Sequence, residues 1–398
     1  MHDIIIIGSG ISGLYCAHHS KNKNILILEK SKCPGGRIYT VKYDTFTFEA
    51  GAGRFNSHHK LLLSLIKKLR LQSKILKIPG DVSFSATSES PYNGKSPFDI
   101  IDPVLLSAKK MSKTILQQQT FFDFAYSLLS KSDSQFLKDS FGYYEQLMSM
   151  NAYDALKLFD KGMHSKNEFY TLKGGLNQII ERMAENKEIM YNKDVYRIEY
   201  SDSLFYIYVK NRKFPFICKT CICAIPKIAM EKISIFKPCK HIFRSVGIKI
   251  LCRMYAIFDK KDIWFKDLPK TTTNNEIRYI IPIDRENGLI MISYTDSIFA
   301  KYWEKVPQKK LIERLQEKLK ASLNIDIPKP KYLKAFYWET GTAYWKPLCD
   351  SEVLSREMIQ PIKNMPLYTC GENFSQTQGW MEGALETSSE VLKSINNV

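Results

Sequence analysis

The sequence predicts an α/β fold. Three observations carry that expectation. The run Asp3-Ile4-Ile5-Ile6-Ile7 leads straight into Gly8-Ser9-Gly10-Ile11-Ser12-Gly13. Leu14 to His19 continues with helical character. A second apolar run, Ile25-Leu26-Ile27-Leu28, then ends in Glu29. Four β-branched isoleucines in a row suit a strand buried on both faces.

Each part of this strand–turn–helix–strand unit has a task. Gly8 permits a tight turn, Gly10 lets the backbone approach a pyrophosphate, and Gly13 lets helix pack on strand. The helix start offers free N–H groups and positive potential to phosphates. Glu29 comes 19 residues after Gly10, at the end of the second strand, where a carboxylate accepts ribose hydroxyls. It also argues against a bound 2′-phosphate, since like charges would meet there. A glycine turn without ligand is the competing reading.

Two more glycine turns follow, each with an arginine: Cys33-Pro34-Gly35-Gly36-Arg37-Ile38 and Glu49-Ala50-Gly51-Ala52-Gly53-Arg54-Phe55. Together with the first turn they suggest a long, extended ligand. At this point the chain resembles the flavin-containing amine oxidase superfamily, which couples GxGxxG to a GGR turn and an E-x-G-x-x stretch. The resemblance implies bound FAD, held by Gly8, Gly10, Ser12, Gly13, Glu29 and Lys30, then by Gly36, Arg37, Gly53 and Arg54. Arg37 takes the role of the arginine near the pyrophosphate. A plain surface arginine is the alternative for Arg54.

Residues 56–75 read as a helix, with Leu61, Leu62, Leu65, Ile66 and Leu69 near a 3.6 period. From about residue 80 to 165 the chain is loop and helix, rich in aromatics that are more often core than pocket. Gly174-Gly175 opens another helix. Short strands follow at Met190-Tyr191, Val195 to Tyr200, Tyr206 to Val209 and Thr220 to Ile225. By resemblance Val195 reaches the adenine. Cys218-Lys219-Thr220-Cys221, followed by Cys223, is a CxxC. Cys239 and His241 would have to complete a zinc site, and buried free thiols are the preferred reading, so no metal is expected.

Leu251 to Phe258 reads as a strand, followed by Asp262-Ile263-Trp264-Phe265. Relatives often carry a lysine at the start of this strand, near the flavin. Alignment on Trp264 puts Arg253 there, while Lys249 fits if the register slips. Arginine and lysine are not interchangeable at such a site. Residues 307–323 form an amphipathic helix.

At the far end, Trp338 to Trp345 is followed by Gly371-Glu372 and by Gly379-Trp380-Met381-Glu382-Gly383-Ala384-Leu385. These resemble the family's aromatic-bearing strand, its Gly-Glu turn and its last helix. The resemblance implies cofactor contacts at Gly371, Glu372, Gly379, Trp380 and Met381. It also implies an aromatic cage of Tyr344 and Trp380 for a substrate nitrogen, so Trp380, Tyr344 and Arg253 stand as the catalytic positions. For Trp380 the competing reading is a core anchor beside Leu385, Val391, Leu392 and Ile395. Ala343 stands where some relatives attach FAD through a cysteine, so FAD is expected to be non-covalent.

The fold implied is a discontinuous, Rossmann-like FAD-binding domain (residues 1–78, 168–236 and 338–398). An inserted substrate domain of mixed β-sheet and helices would take residues 79–167 and 237–337. The activity implied is oxidation of a small-molecule amine, with an imine as product and oxygen as the final acceptor. A desaturase or protoporphyrinogen-oxidase-like flavoenzyme is one alternative, and a non-catalytic FAD-binding module the other.

Bulk properties fit this picture. The 398 residues are 44% hydrophobic, enough for more than one domain. Net charge is +17, but the lysines are scattered through KNKN, IKKL, AKKM, QKKL and KPKY, which argues against a nucleic-acid stripe. Nine irregularly spaced cysteines suit reduced thiols in an intracellular protein rather than a disulfide scaffold. No uncharged apolar run reaches about 18 residues, the length of a membrane span. A soluble, cytoplasmic protein without a membrane anchor is expected.

Overall fold

The computed structural model describes residues 1–22, 24–86, 90–164 and 166–396. The α/β class expected from the sequence is the class found, in two compact units. The first comprises Met1–Ile78, Glu168–Gly247 and Cys349–Val398; the second comprises Pro79–Asn167 and Ile248–Leu348.

In the first unit, strand β1 (His2–Ile7) lies between β2 (Ile25–Leu28) and the strand Phe216–Cys223, parallel to both. Ile7 sits level with Leu28 on one side and Cys223 on the other. This central place explains the isoleucine run: Ile5 and Ile6 are fully buried. Glu188–Met190 extends the sheet beyond β2, Leu367–Thr369 pairs parallel with Phe216–Cys223, and the hairpin Val195–Ser201 and Leu204–Val209 completes it. Helix α1 (Ile11–His19) packs on this sheet and against the last helix, Met381–Asn396. Cys16 of α1 lies 3.8 Å, sulfur to sulfur, from Cys370, and Ser388 donates to the Ser12 carbonyl at 3.2 Å.

The helix expected over 56–75 is shorter. Helix α2 spans Lys60–Lys68, and Arg70 then takes a left-handed φ of 57° that a continuing helix cannot accommodate. Beyond it the chain forms the strand Ile75–Ile78, whose ladder with Phe169–Leu172 takes Ile75 out of the helix. Phe55–Asn56 pairs with the same strand, Phe55 opposite Tyr170 and Asn56 opposite Phe169. This small antiparallel sheet fixes where Arg54 and Phe169 meet.

The second unit holds a six-stranded sheet in the order Tyr332–Trp345, Val246–Ile257, Leu289–Asp296, Tyr279–Asp284, Thr271–Thr273 and Ser83–Ser85. Strand Val246–Ile257 starts earlier than its apolar run suggests and pairs antiparallel with Leu289–Asp296. Cys252, Met254 and Ala256 face one way, onto a core shared with Ala300, Trp303, Leu311, Leu315 and Leu319 of the helices Ser297–Glu304 and Leu311–Leu323. The alternate residues Lys249, Leu251, Arg253 and Tyr255 take the opposite face. Between Phe98 and Met163 the chain forms short helices, several started by side-chain caps at Ser112, Thr120, Ser130 and Asn151.

Candidate functional site

The glycine turn sits at the carboxyl end of β1. Gly8 has φ of 101°, and a Cβ there would lie 2.6 Å from the Ala224 carbonyl oxygen. A Cβ on Gly13 would be 2.1 Å from the Gly8 oxygen, so helix and strand can close only around glycine. Gly10 differs: a Cβ there would meet nothing within 4 Å. It is the N-cap of α1 and supplies no side-chain cap. An open backbone face and an uncapped helix start are what a pyrophosphate requires.

Glu29 is buried at the end of β2. Its Oε2 accepts from the Ser9 N–H at 2.8 Å and the Ser9 hydroxyl at 2.6 Å, and its Oε1 from the Ser31 N–H at 2.7 Å. Three of roughly four acceptor positions are thus used within the turn, and one remains open. Lys30 beside it is exposed. Glu29 therefore does more than its sequence position suggests, because it holds the glycine turn in shape.

The second turn packs on the first. The Gly35 N–H donates to the Ser9 carbonyl at 3.0 Å, and a Cβ on Gly36 would stand 3.5 Å from the Gly10 Cα. Arg37 reaches Glu372, Nη1 to Oε2, at 2.7 Å. Glu372 also accepts from Asn373 at 2.7 Å and from the Gly379 N–H at 2.9 Å, while the Gly371 N–H donates to the Thr387 hydroxyl at 2.9 Å. One carboxylate thus ties together the GGR turn, the Gly371-Glu372 turn and the approach to the last helix. Met381 is buried in the core, Gly53 is half-buried in the loop before Phe55, and Val195 is half-buried at the start of its strand. These residues suit FAD: open glycine backbone, a helix start, an acid at the ribose position and an arginine oriented by a buried carboxylate.

Trp380 is half-buried immediately before the last helix. Its ring meets His59 edge to face, 4.7 Å between centroids at 64°, and lies nearly parallel to Phe169, 6.5 Å away at 19°. The Arg54 guanidinium stands 4.2 Å from the Phe169 ring and 5.8 Å from that of Trp380. Glu382, two residues on, accepts from the Leu61 and Leu62 N–H groups at 2.8 and 2.9 Å. These are first-turn amides of α2, so the last helix caps α2 and sets His59 against Trp380. Burial, helped by the nearby His58 and Arg54 charges, lowers the His59 pKa to about 3.

In the second unit, Tyr344 is half-buried, and its phenol is pushed up to about 12 by burial and then by the Glu145 carboxylate. Glu145 accepts from the Ser297 hydroxyl. Asp296 is fully buried and accepts from the Tyr144 and Glu145 N–H groups at 2.9 and 3.2 Å. Burial raises its carboxyl pKa, and the Lys249 charge opposes that rise. Lys249 is 3% exposed, with its ammonium 5.3 Å from the Tyr143 ring. Arg253, on the same strand face, stands 4.5 Å from the Tyr294 ring. Ala343 is buried. The sequence pattern offered no signal for Glu145 or Asp296, whose roles depend on a helix start meeting a strand end about 150 residues away.

Cys218, Cys221 and Cys223 are buried free thiols, while His241 is exposed and faces Glu357 at 3.4 Å. Among the described residues, no three His, Cys, Asp or Glu side chains gather as metal ligands would. No helix among them is long and apolar enough to cross a membrane.

Comparison with known proteins returns two family models. The NAD(P)-binding Rossmann-like domain matches residues 6–69, and flavin-containing amine oxidoreductase matches residues 101–391. Among curated proteins, a putative L-amino-acid oxidase of Bacillus subtilis is 23% identical over 99% of this chain and 95% of its own. An uncharacterized protein of Acanthamoeba polyphaga mimivirus is 20% identical over 98% of this chain and 93% of its own. Among solved structures, a putrescine oxidase variant from a redesign of cofactor binding superposes with a TM-score of 0.81. It is 16% identical and covers 100% of this chain and 99% of that one. The wild-type putrescine oxidase bound to putrescine gives 0.79 at 15% identity, with the same coverage.

Proposed function

The chain belongs to the flavin-containing amine oxidoreductase family and is a flavin-dependent amine oxidase with FAD as cofactor; from that premise we propose how its residues divide the work. The observation that carries the proposal is the Glu372 carboxylate, which joins Arg37 to the Gly379 backbone beside Trp380. Cofactor-binding and substrate-binding segments are thereby fixed to one another within one unit.

Bound FAD supplies the acceptor for the hydride that leaves the carbon next to the amine nitrogen. Glu29 accepts a ribose hydroxyl while keeping Ser9 in place. The first turn of α1 and the Gly10 backbone receive the pyrophosphate, with Arg37 as its cation. FAD is non-covalent, because the position before Tyr344 is Ala343. Trp380 presents its ring to the substrate nitrogen, and Tyr344 is assigned the same task by the family resemblance alone. A buried apolar setting favours the neutral amine, whose lone pair the oxidation needs. Tyr344, with its phenol near 12, stays protonated and donates rather than repels. On the second unit's sheet Lys249 is buried and Arg253 half-buried; by the family resemblance alone Arg253 is the first candidate for the lysine position. Oxygen as the electron acceptor and a cytoplasmic location belong to the same reading.

The relatives point to two kinds of amine. One is named a putative L-amino-acid oxidase and the other is a putrescine oxidase. The test is an anaerobic visible spectrum of the FAD-loaded protein before and after adding monoamines, diamines, polyamines and amino acids. Bleaching by one class, reversed by air with release of peroxide, is the result expected. A flavin band that none of them bleaches would overturn amine oxidation.

A further inference from the structure

Two thiols from opposite ends of the chain meet inside the first unit. Cys16 lies within α1, and Cys370 stands between the strand Leu367–Thr369 and Gly371. Both are buried, and their sulfurs are 3.8 Å apart across 354 residues of sequence. The surroundings are polar for a core. The Ser388 hydroxyl donates to the Ala384 and Ser12 carbonyls at 2.7 and 3.2 Å, and the Cys16 thiol faces the Ser388 carbonyl at 3.9 Å. The hydrogen bond between the thiols, then burial, raises Cys16 well above its ordinary pKa. The same bond, with others to Ser388 and Ser12, holds Cys370 below its own. Cys370 is thus the better nucleophile of the two, with Cys16 in place to resolve it. Cys221 and Cys223 give the contrast. Their sulfurs are 4.0 Å apart, but the residues are two apart on one strand. The rise of a strand sets such Cα atoms about 6.7 Å apart, at the edge of a disulfide's reach. A bond there would tie a strand to itself, whereas one between Cys16 and Cys370 would tie α1 to the segment carrying Gly371 and Glu372.

We propose that Cys16 and Cys370 form a reversible oxidation site, which hydrogen peroxide closes to a disulfide, and that closure weakens FAD binding. The Cys370 sulfur attacks one peroxide oxygen and the O–O bond breaks, giving a sulfenic acid. The hydroxide that leaves takes up the Cys370 proton as water. The Cys16 sulfur then attacks the sulfenic sulfur, the S–S bond forms and the S–O bond breaks. The second hydroxide leaves with the Cys16 proton, again as water. Two thiols lose two electrons and one peroxide gains them. The sulfurs have to close from 3.8 Å to about 2.0 Å. That draws α1 towards the Gly371 segment. A Cβ on Gly371 would meet only the Ser12 Oγ, at 3.9 Å, so there is room between the two to lose. The start of α1 and the Arg37 that Glu372 orients are the groups proposed for the pyrophosphate, and both lie next to this closure. The amine-oxidase reading supplies peroxide as a product. The test adds peroxide directly, so its failure and the failure of that reading are distinguishable.

In the experiment the FAD-loaded protein is treated with hydrogen peroxide, free thiols are blocked, and the chain is digested with trypsin without reductant. Residues 1–21 and 364–393 are released as peptides with one cysteine each, Cys16 and Cys370. Mass spectrometry should find these two peptides disulfide-linked after peroxide, and separate both before it and after dithiothreitol. Equilibrium dialysis should show the Kd for FAD rising about tenfold in the linked protein and returning with dithiothreitol, since a site displaced by about 1 Å loses its fit. Cys370→Ser and Cys16→Ser, each close in size to the thiol it replaces, should form no link. Their FAD affinity should not respond to peroxide. A folded, peroxide-treated wild type without the linked pair would overturn the proposal, and so would a link between Cys221 and Cys223 in its place. FAD affinity that stays the same in the linked protein, or that falls equally in Cys370→Ser, would overturn the effect on the cofactor. If no amine reduces the flavin, the amine-oxidase reading fails by itself, and the peptide map still decides on Cys16 and Cys370.

Discussion

Arg37 and Glu372, 335 residues apart in sequence, form a 2.7 Å ion pair. The carboxylate is almost wholly buried, whereas the arginine side chain is about a third exposed. The pair therefore orients Arg37 more than it stabilises the chain. Arg37→Met should weaken FAD binding by about tenfold (about 1.4 kcal/mol), with little change in the melting temperature of the FAD-free protein. Titration of FAD into that protein, followed by flavin fluorescence, checks both parts.

Glu29 differs because it holds the turn as well as the ribose proposed for it. Glu29→Ala removes three hydrogen-bond acceptances from Ser9 and Ser31. It should lower stability by about 2 kcal/mol even without FAD, since buried donors are left unmatched, and should abolish FAD retention. Denaturant midpoints with and without FAD separate the two losses. An unchanged midpoint in the FAD-free variant would show that the turn does not need the acid.

The cap supplied by Glu382 is a third test. Glu382→Ala strips two first-turn amides of α2 of their acceptor and should cost about 1–2 kcal/mol. Because the same contact sets His59 against Trp380, turnover should fall more than stability alone explains. Urea unfolding and steady-state rates on one preparation make the comparison.

Trp380→Ala should reduce turnover at least tenfold with FAD retained, because the ring is assigned to the substrate and not to the cofactor's phosphates. Retained flavin with unchanged turnover would return Trp380 to the role of a core anchor.

His59 gives a pH signature. Its pKa in the fold is near 3, against 6.5 for the free side chain. As pH falls below 6.5 the unfolded chain takes up this proton first. The His59 contribution to stability is therefore complete above pH 6.5 and is lost as pH falls towards 3. The slope approaches about 1.4 kcal/mol per pH unit below the unfolded pKa. Between pH 6.5 and 5 most carboxylates are still ionised, so the difference between wild type and His59→Gln isolates this term. Parallel stability curves across that range would show that His59 is not held neutral.

Local sequence made the nucleotide unit legible. Glycine spacing, the isoleucine run and Glu29 each act within a few residues of one another, and each is found where the pattern placed it. The start of the last helix was legible for the same reason. The Arg54, His59 and Trp380 corner was not. It depends on Phe55 pairing with Tyr170 and on Glu382 capping α2, contacts between segments about 115 and 320 residues apart, which no local period encodes. The helix over 56–75 failed for a related reason. Ile75, the last residue of that expected helix, opens the strand Ile75–Ile78, and the ladder with Phe169–Leu172 decides its state.

The distribution of thiols has a practical corollary. Seven of the nine cysteines are buried and Cys349 is half-buried, while Cys33, at the entry to the Gly35-Gly36-Arg37 turn, is exposed. A maleimide dye added to the unaltered protein should therefore settle chiefly at Cys33. That would put an optical reporter beside the turn that carries Arg37, so that arrival of FAD could be timed in a stopped-flow instrument without engineering an attachment point.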